Sequence, residues 1–355
     1  MNHLVIFIRF SVFILILFAL LILLYIVSRR VYQQVKDKRF RRRYLQIEEE
    51  LLNALSATEP ESAALLAEKY AKYPKVLTKL LFDYAKVLIG PERDRLKIIF
   101  RIALEKKSTR DLSSRRTMRR LQATRLFGFF FDPLKMDFML KLLNDKPIVR
   151  LAAVQAISQL PSAEALSIVF RAFEADSCPN VHSYTSVIFS LGGRAEGYIR
   201  ETLKNPISLE KIALLIELVG AIPIRSLCQD ILPFAGHAEK EIRIKVARAL
   251  GGLLIPDSVP VLIRMASDEA WEVQAQAIKS LGKLKSPEAL DILAGSFYSK
   301  NWHVRFNARA GLMNLGEAGV KRLEEIAQQT RDGYAAAMAA MALHDIYLSS
   351  ESMSS

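Results

Sequence analysis

The sequence predicts an all-α protein, with an N-terminal transmembrane helix followed by a right-handed α-solenoid of stacked helix pairs. Three observations lead there. Phe10 to Val27 is a run of eighteen residues without a charge, close to the N-terminus. One twelve-residue pattern recurs eight times from Arg119 onward, at spacings of 30 to 32 residues. Between the two, apolar residues fall at helical spacing with almost no strand signal.

The first element is the anchor, assigned to residues 1–28. Leu4 to Val27 is 24 residues, roughly 36 Å of helix, enough to cross a hydrocarbon core of about 30 Å. A cleaved signal peptide is the competing reading. Its apolar region is usually shorter, and the exit here, YIVSRR, carries bulky residues where a small-residue cleavage site belongs. Arg9 stands near enough to the N-terminal end to snorkel to the interface. Only the α-amine and Arg9 flank the span on that side. Arg29, Arg30, Lys36, Lys38, Arg39, Arg41, Arg42 and Arg43 crowd the other. Cytoplasmic flanks carry the Lys/Arg excess, so the chain after Val27 is expected in the cytoplasm, as for a single-pass protein of a bacterial inner membrane. The two cysteines, Cys178 and Cys228, have no metal-type neighbours, which agrees with a reducing compartment.

Next comes a basic juxtamembrane helix, residues 29–58. Phe40, Tyr44, Ile47, Leu51 and Leu55 recur at spacings of four, three, four and four, placing one apolar stripe on a helix that continues out of the membrane. Its cations raise the question of nucleic acid, and the charge distribution answers it. Residues 1–120 hold 25 Lys/Arg against 12 Asp/Glu, whereas residues 121–355 hold 25 of each. A nucleic-acid-binding solenoid would spread its cations along the array. Here all the excess sits nearest the span, where each cation gains about 1 kcal/mol beside anionic lipid. An anionic lipid surface is the expected partner of the eight cations above and of Arg115, Arg116, Arg119 and Arg120; nucleic acid is not.

Residues 59–118 read as a helical N-terminal part of the solenoid. Pro60, Pro74 and Pro91 each stand where a helix can begin, and Gly90 is expected to close the helix KVLTKLLFDYAKVLI. The stretch 106–120 sets seven cations against the lone Asp111. A specific phosphate ligand suits such arginines, and a lipid-facing or solvated surface is the plainer reading.

Residues 119–348 form the repeat array. The starts fall at Arg119, Val149, Val181, Lys211, Ile242, Val273, Val304 and Ala335. Small or apolar residues hold the fifth position of every copy, and Gly128, Ser158, Ser190, Gly220, Gly251 and Gly282 hold the tenth. Asp145, Asp268 and Asn301 precede the first helices as candidate caps. Arg150, Arg243 and Arg305 share one repeat position and read as a ladder of ion pairs between repeats. Trp271 and Trp302 read as repeat-equivalent packing or turn residues. A helix pair of this kind cannot bury its apolar face alone, so neighbours must stack.

The pattern V-R-x-x-A-x-x-A-L-G-x-L resembles HEAT repeats, in the shorter form shared with phycobilisome-lyase-like proteins. IRIKVARALGGL and VQAQAIKSLGKL carry it best, and it covers roughly residues 119–346. The resemblance implies an α-solenoid with a concave groove that binds a protein partner. It also brings HEAT-like enzymes into view. Deoxyhypusine hydroxylases hold iron with His-Glu pairs, but none of the five histidines here is followed by Glu. Nothing local marks a bilin pocket, and the neutral array lacks the basic groove of HEAT-like DNA glycosylases. No phosphate loop, metal-ligand spacing or nucleophile elbow occurs, so no catalytic residue, metal or cofactor is expected.

The expected function is therefore a membrane-anchored cytoplasmic scaffold for a protein partner, such as an integral membrane enzyme or secretion component. A lyase-type enzyme or pigment-handling protein on the same fold is the alternative. The terminal segment GYAAAMAAMALHDIYL lacks the polar outer face that a capping repeat needs. Ala339, Ala342, Leu343 and Ile346 are expected to pack inward, leaving Met338 and Met341 as a candidate partner patch. Residues 349–355, SSESMSS, read as a disordered tail.

Overall fold

A computed structural model of the chain describes residues 2–57, 59–130, 135–176, 181–205 and 207–354, with side chains placed in all of these except 2–16, 181–182 and 349–354. Cys178 and Pro179 lie outside the described residues, as do the side chains of Arg9 and His182. All regular elements among the described residues are helical. The chain forms two compact units, Met1–Ala156 and Ile157–Ser355, so the division falls inside a repeat helix.

The first unit is organised by one unbroken helix, α1 (Asn2–Ser56). From Leu17 onward it contains a window long and apolar enough to cross a membrane, none of it buried. Further along, the expected stripe turns inward: Ile47, Leu51 and Leu55 are buried, while Phe40 remains exposed. Three tyrosine and carboxylate pairs fasten this end. Tyr44 donates to Asp83 at 2.9 Å, Tyr70 to Glu50 at 2.6 Å and Tyr84 to Glu48 at 2.8 Å. Burial, then the Glu48 carboxylate, pushes the Tyr84 hydroxyl up to about 12, so it stays a donor at neutral pH.

Helices α2 (Glu61–Tyr70), α3 (Pro74–Tyr84) and α4 (Pro91–Ile99) start at or just after the three prolines. Helix α3 ends earlier than expected, and Gly90, at φ +67°, precedes α4 instead of closing α3. The reason is burial. Val87 and Ile89 are more than three-quarters exposed, so no packing sustains the helix that far. A π-helical turn (Phe100–Leu104) leads into α5 (Glu105–Leu112). There Phe100 stacks on Phe130 and meets Phe127 edge-on, with centroids 5.2 and 5.3 Å apart. Helices α6 (Thr117–Phe129), α7 (Met136–Leu142) and α8 (Pro147–Ser158) follow.

The second unit stacks helix pairs. The first helices of its pairs are α10 (Thr185–Leu191), α12 (Leu209–Ala221), α14 (Lys240–Leu253), α16 (Trp271–Leu284), α18 (Trp302–Asn314) and α20 (Gly333–Ser354). Second helices include α9 (Ala163–Ala175), α11 (Glu196–Lys204), the short α13 (Cys228–Ile231), α15 (Val259–Met265), α17 (Leu290–Ser296) and α19 (Glu317–Gln329). The fifth repeat position is buried throughout this unit except at Thr185, which is half-buried. That repeat is also the irregular one. Val181–Tyr184 is a 3₁₀ turn, and Tyr184 packs on Phe173 at 5.5 Å where other copies are already α-helical.

The tenth position works by contact with the next repeat's eighth. A Cβ on Gly220 would lie 2.5 Å from Ala249 Cα, and one on Gly282 would lie 2.7 Å from Gly311 Cα. The equivalent approach of Gly251 to Ser280 brings Ser280 Oγ to the Ala247 carbonyl at 2.7 Å, a buried bond between α16 and α14. Helix α20 runs on to Ser354, through the stretch whose polar composition reads as a tail.

Candidate functional site

The predicted basic residues fall into three groups. Arg29, Arg30, Lys38, Arg41 and Arg42 are exposed around α1. Lys36, Arg39 and Arg43, three and four residues apart, share one helical face and line a cleft of about 640 Å³. Its other wall is the turn between α2 and α3, which supplies Lys72 and Tyr73, and the first turn of α3, which supplies Lys75. Tyr32 and Phe40 give the α1 wall an aromatic component. No carboxylate lines the cleft. Arg43 lies over the Tyr73 ring at 4.7 Å and Lys72 over the same ring at 5.5 Å, so Tyr73 holds two of the cations by its face. Sequence reasoning missed Lys72 and Lys75. Their signal was the KYPK motif next to a helix start, but nothing in it says that this turn packs against α1.

Arg115, Arg116 and Arg119 are exposed, as expected for a solvated or lipid-facing surface. Arg120 is not, which corrects its assignment to the membrane surface. Its Nη2 donates to Asp145 Oδ1 at 2.6 Å and its Nη1 to the Ser114 carbonyl at 2.7 Å. The side chain is only 16 % exposed. The physical reason is the repeat position. Arg120 is the second residue of its repeat, equivalent to Arg243 and Arg305, and each makes the same two bonds.

Arg243 donates from Nε and Nη2 to the two Asp268 oxygens, both at 2.8 Å, and from Nη1 to the His237 carbonyl at 2.9 Å. Arg305 reaches Asp332 at 3.0 Å and bonds the Ser299 carbonyl. Gln274, at the same position, keeps the bond to the carbonyl six residues back, Asp268 O, at 2.6 Å. Asp145, Asp268 and Asp332 in turn accept backbone N–H groups at the start of the next helix. Burial pushes the Asp268 carboxyl up, but Arg243 and the Ala270 N–H outweigh it and hold it below the ordinary carboxylate range. For Asp145 the Arg120 guanidinium is the leading cause of the same downward shift.

The tryptophans pack at the surface and not in the core. Trp271 and Trp302 open α16 and α18 and are 41 % and 53 % exposed. His303 joins them, stacked on Trp271 at 5.3 Å and edge-on to Trp302 at 5.1 Å. Phe306 then stacks on Trp302 at 5.1 Å, making an exposed row of four rings across two repeats. At α20, Ala339 and Ala342 are buried as expected, and Met341 is exposed. Met338 is buried, and this corrects its place in the partner patch. It lies on the face of Ala335, Ala339 and Ala342, spaced three and four residues apart, which packs on the preceding repeat. Among the described residues, no group of three or more His, Cys, Asp or Glu is placed to hold a metal ion.

Residues 229–301 match the family model of HEAT repeats. No curated protein sequence matches the chain. The fold is similar to that of the karyopherin Kap121p bound to Nup53p, with a TM-score of 0.53, 11% identity and 84% of this chain covered. Kap121p bound to Ste12p gives a TM-score of 0.51 at the same identity and coverage. The chain spans 41% of the length of those proteins. Residues 229–301 are thus HEAT repeats, and the fold is similar to the all-helical, solenoid-type fold of Kap121p.

Proposed function

We propose that this chain is a membrane-tethered scaffold. In this reading α1 spans the bilayer from about Leu4 to Val27, the repeats stand in the cytoplasm, and they dock a protein partner associated with the same membrane. One observation carries it. The helix that is long and apolar enough to cross a membrane is also a packed element of the first unit, without a break between the two roles. A flexible linker would only raise local concentration; a rigid helix also fixes the height and orientation of what it carries. The aromatic row at Trp271, His303, Trp302 and Phe306 is our docking surface. Tryptophan is enriched among the few residues that carry most of the energy of protein–protein binding, and the similar karyopherin fold is seen bound to protein partners.

Two measurements test the reading. A C-terminal reporter active only in the cytoplasm should be active in the full chain, and one active only outside it should be silent; the reverse sinks the tether. Affinity purification from detergent-solubilised membranes, with α1 intact, should capture a partner. Trp271→Ala with Trp302→Ala should weaken capture about 30-fold or more, since one such centre contributes about 2 kcal/mol. Equal capture by both chains removes the aromatic row from the argument.

A further inference from the structure

We infer that the partner segment docked on the repeats carries an aromatic or aliphatic anchor at one end and acidic residues at the other. The inference rests on the aromatic row proposed above as the docking surface, and it names the chemistry of what lies there. In α16 the exposed residues are Trp271, Lys279 and Lys283. Spacings of eight and four keep all three on one side, within roughly a third of the helix circumference. In α18 the exposed residues are Trp302, His303, Phe306, Ala310 and Asn314. All but His303 lie on the corresponding side, Trp302, Ala310 and Asn314 being the repeat equivalents of Trp271, Lys279 and Lys283. No carboxylate stands among them.

Charge chooses the partner. Arg248 is the repeat equivalent of Lys279 on α14, the helix packed against α16. Lys245 and Arg248 share one carboxylate, Glu217 of α12, at 2.6 and 3.5 Å. Among the described residues neither Lys279 nor Lys283 has an ion-pair partner. Lys245, Arg248, Lys279 and Lys283 are thus balanced by one carboxylate, although residues 121–355 hold 25 charges of each sign. Lys279 and Lys283 also stand one turn apart, where like charges repel, and an acidic partner relieves that repulsion. The contrast is Lys321 of α19, which has Glu317 and Glu324 one turn away on either side. Spacing sets the partner's length. Lys279 lies roughly 12 Å and Lys283 roughly 18 Å along α16 from Trp271, which about four to six residues of extended chain cover. Single-stranded nucleic acid also joins rings to anions, but its phosphates flank every stacked base. Here the cations flanking the rings, Lys240 and Arg305, are already engaged by Glu272 and Asp332. A peptide with its anchor and its acids apart fits the separation.

Phage-displayed random peptides, selected on the full chain in phosphatidylcholine nanodiscs, read the chemistry of the surface directly. Enriched peptides should carry Trp, Phe or Leu with two or more Asp or Glu about four to six residues away. For the strongest binder, followed by fluorescence anisotropy, Lys279→Gln/Lys283→Gln should weaken Kd at least tenfold. Arg264→Gln/Lys321→Gln, with the same charge removed from exposed positions of α15 and α19, should keep it within about twofold. Selection on the Lys279→Glu/Lys283→Glu chain should turn the enriched charge from acidic to basic. Peptides without acidic enrichment that nevertheless lose binding to the Trp302→Ala/Phe306→Ala chain overturn the acidic partner and leave the docking row standing. Peptides indifferent to the lysines and the rings alike, or no enrichment on the parent chain, overturn both. Equal weakening by the two Gln variants overturns the inference in favour of a diffuse field. Displacement of the peptide by oligo(dT) at comparable concentration overturns it in favour of single-stranded nucleic acid.

Discussion

Arg243 and Asp268 face each other across two consecutive repeats with both forks engaged, Nε to Oδ2 and Nη2 to Oδ1, each at 2.8 Å. Their side chains are 8 % and 12 % exposed. A pair this sheltered is held by geometry that neither residue can recover alone, since each would otherwise be a charge without water. The same aspartate accepts the Ala270 N–H, so one carboxylate ties the previous repeat to the first turn of the next.

Removing one partner should therefore be costly. Arg243→Met is expected to destabilise the second unit by about 3 kcal/mol, read by urea unfolding. Arg243→Met combined with Asp268→Leu should recover more than half of that loss, because no buried charge is left. Lys204→Ala, which breaks the exposed pair with Glu201, should change stability by less than about 0.5 kcal/mol. A double variant as unstable as the single one would show that the pair is not what holds these repeats together.

The depressed carboxylates set a pH window. Asp268 and Asp145 titrate below the ordinary value of 3.8 in the folded chain. Unfolded, they take up protons at higher pH than folded, so their contribution is complete above that ordinary value and is lost as pH falls through the lowered one. Thermal midpoints should be flat between about pH 7 and 5 and fall below about pH 4. Asp268→Asn should flatten that fall while lowering the midpoint at neutral pH. A parent chain with no acid slope, or a variant that falls as steeply as the parent, contradicts the assignment.

The close repeat-to-repeat approaches make a second class of test. Gly282→Ala places a methyl 2.7 Å from Gly311 Cα, backbone that cannot rotate away, and should cost about 1–3 kcal/mol. Gly295→Ala, at an exposed position of α17 with nothing within 4 Å of its Cβ, should instead stabilise by about 0.5–1 kcal/mol from helix propensity alone. Thermal melts of the two variants should move in opposite directions.

At the terminal helix the two methionines should separate. Met338→Glu buries a carboxylate among Ala335, Ala339 and Ala342 and should lower stability by about 3 kcal/mol or more. Met341→Glu, at a position 64 % exposed, should leave the stability within about 0.5 kcal/mol of the parent chain. If the two variants melt alike, α20 is not packed as described.

The all-helical class, the repeat length and the apolar run of the first helix were legible in the residues. Each is a periodicity along one chain: about 3.6 residues for a helix face, a near-constant spacing for a repeat, and an unbroken apolar stretch for a span. The buried fifth positions and the capping role of Asn301 followed from the same local rules, whereas Asp145 and Asp268 bond a backbone N–H just ahead of their helices instead of capping them. Tertiary structure alone decided which faces meet. Arg120 looks like its exposed neighbours Arg115, Arg116 and Arg119 until the next helix brings Asp145 beside it. Met338 and Met341 differ by less than one helical turn, yet only one of them lies against the preceding repeat. Lys72 and Lys75 become part of a cleft with Lys36, Arg39 and Arg43 because α3 folds back on α1. Periodicity tells a helix which side is apolar, but burial, ion pairing and a shared cleft depend on what stands opposite, and that is set by packing between segments distant in the chain.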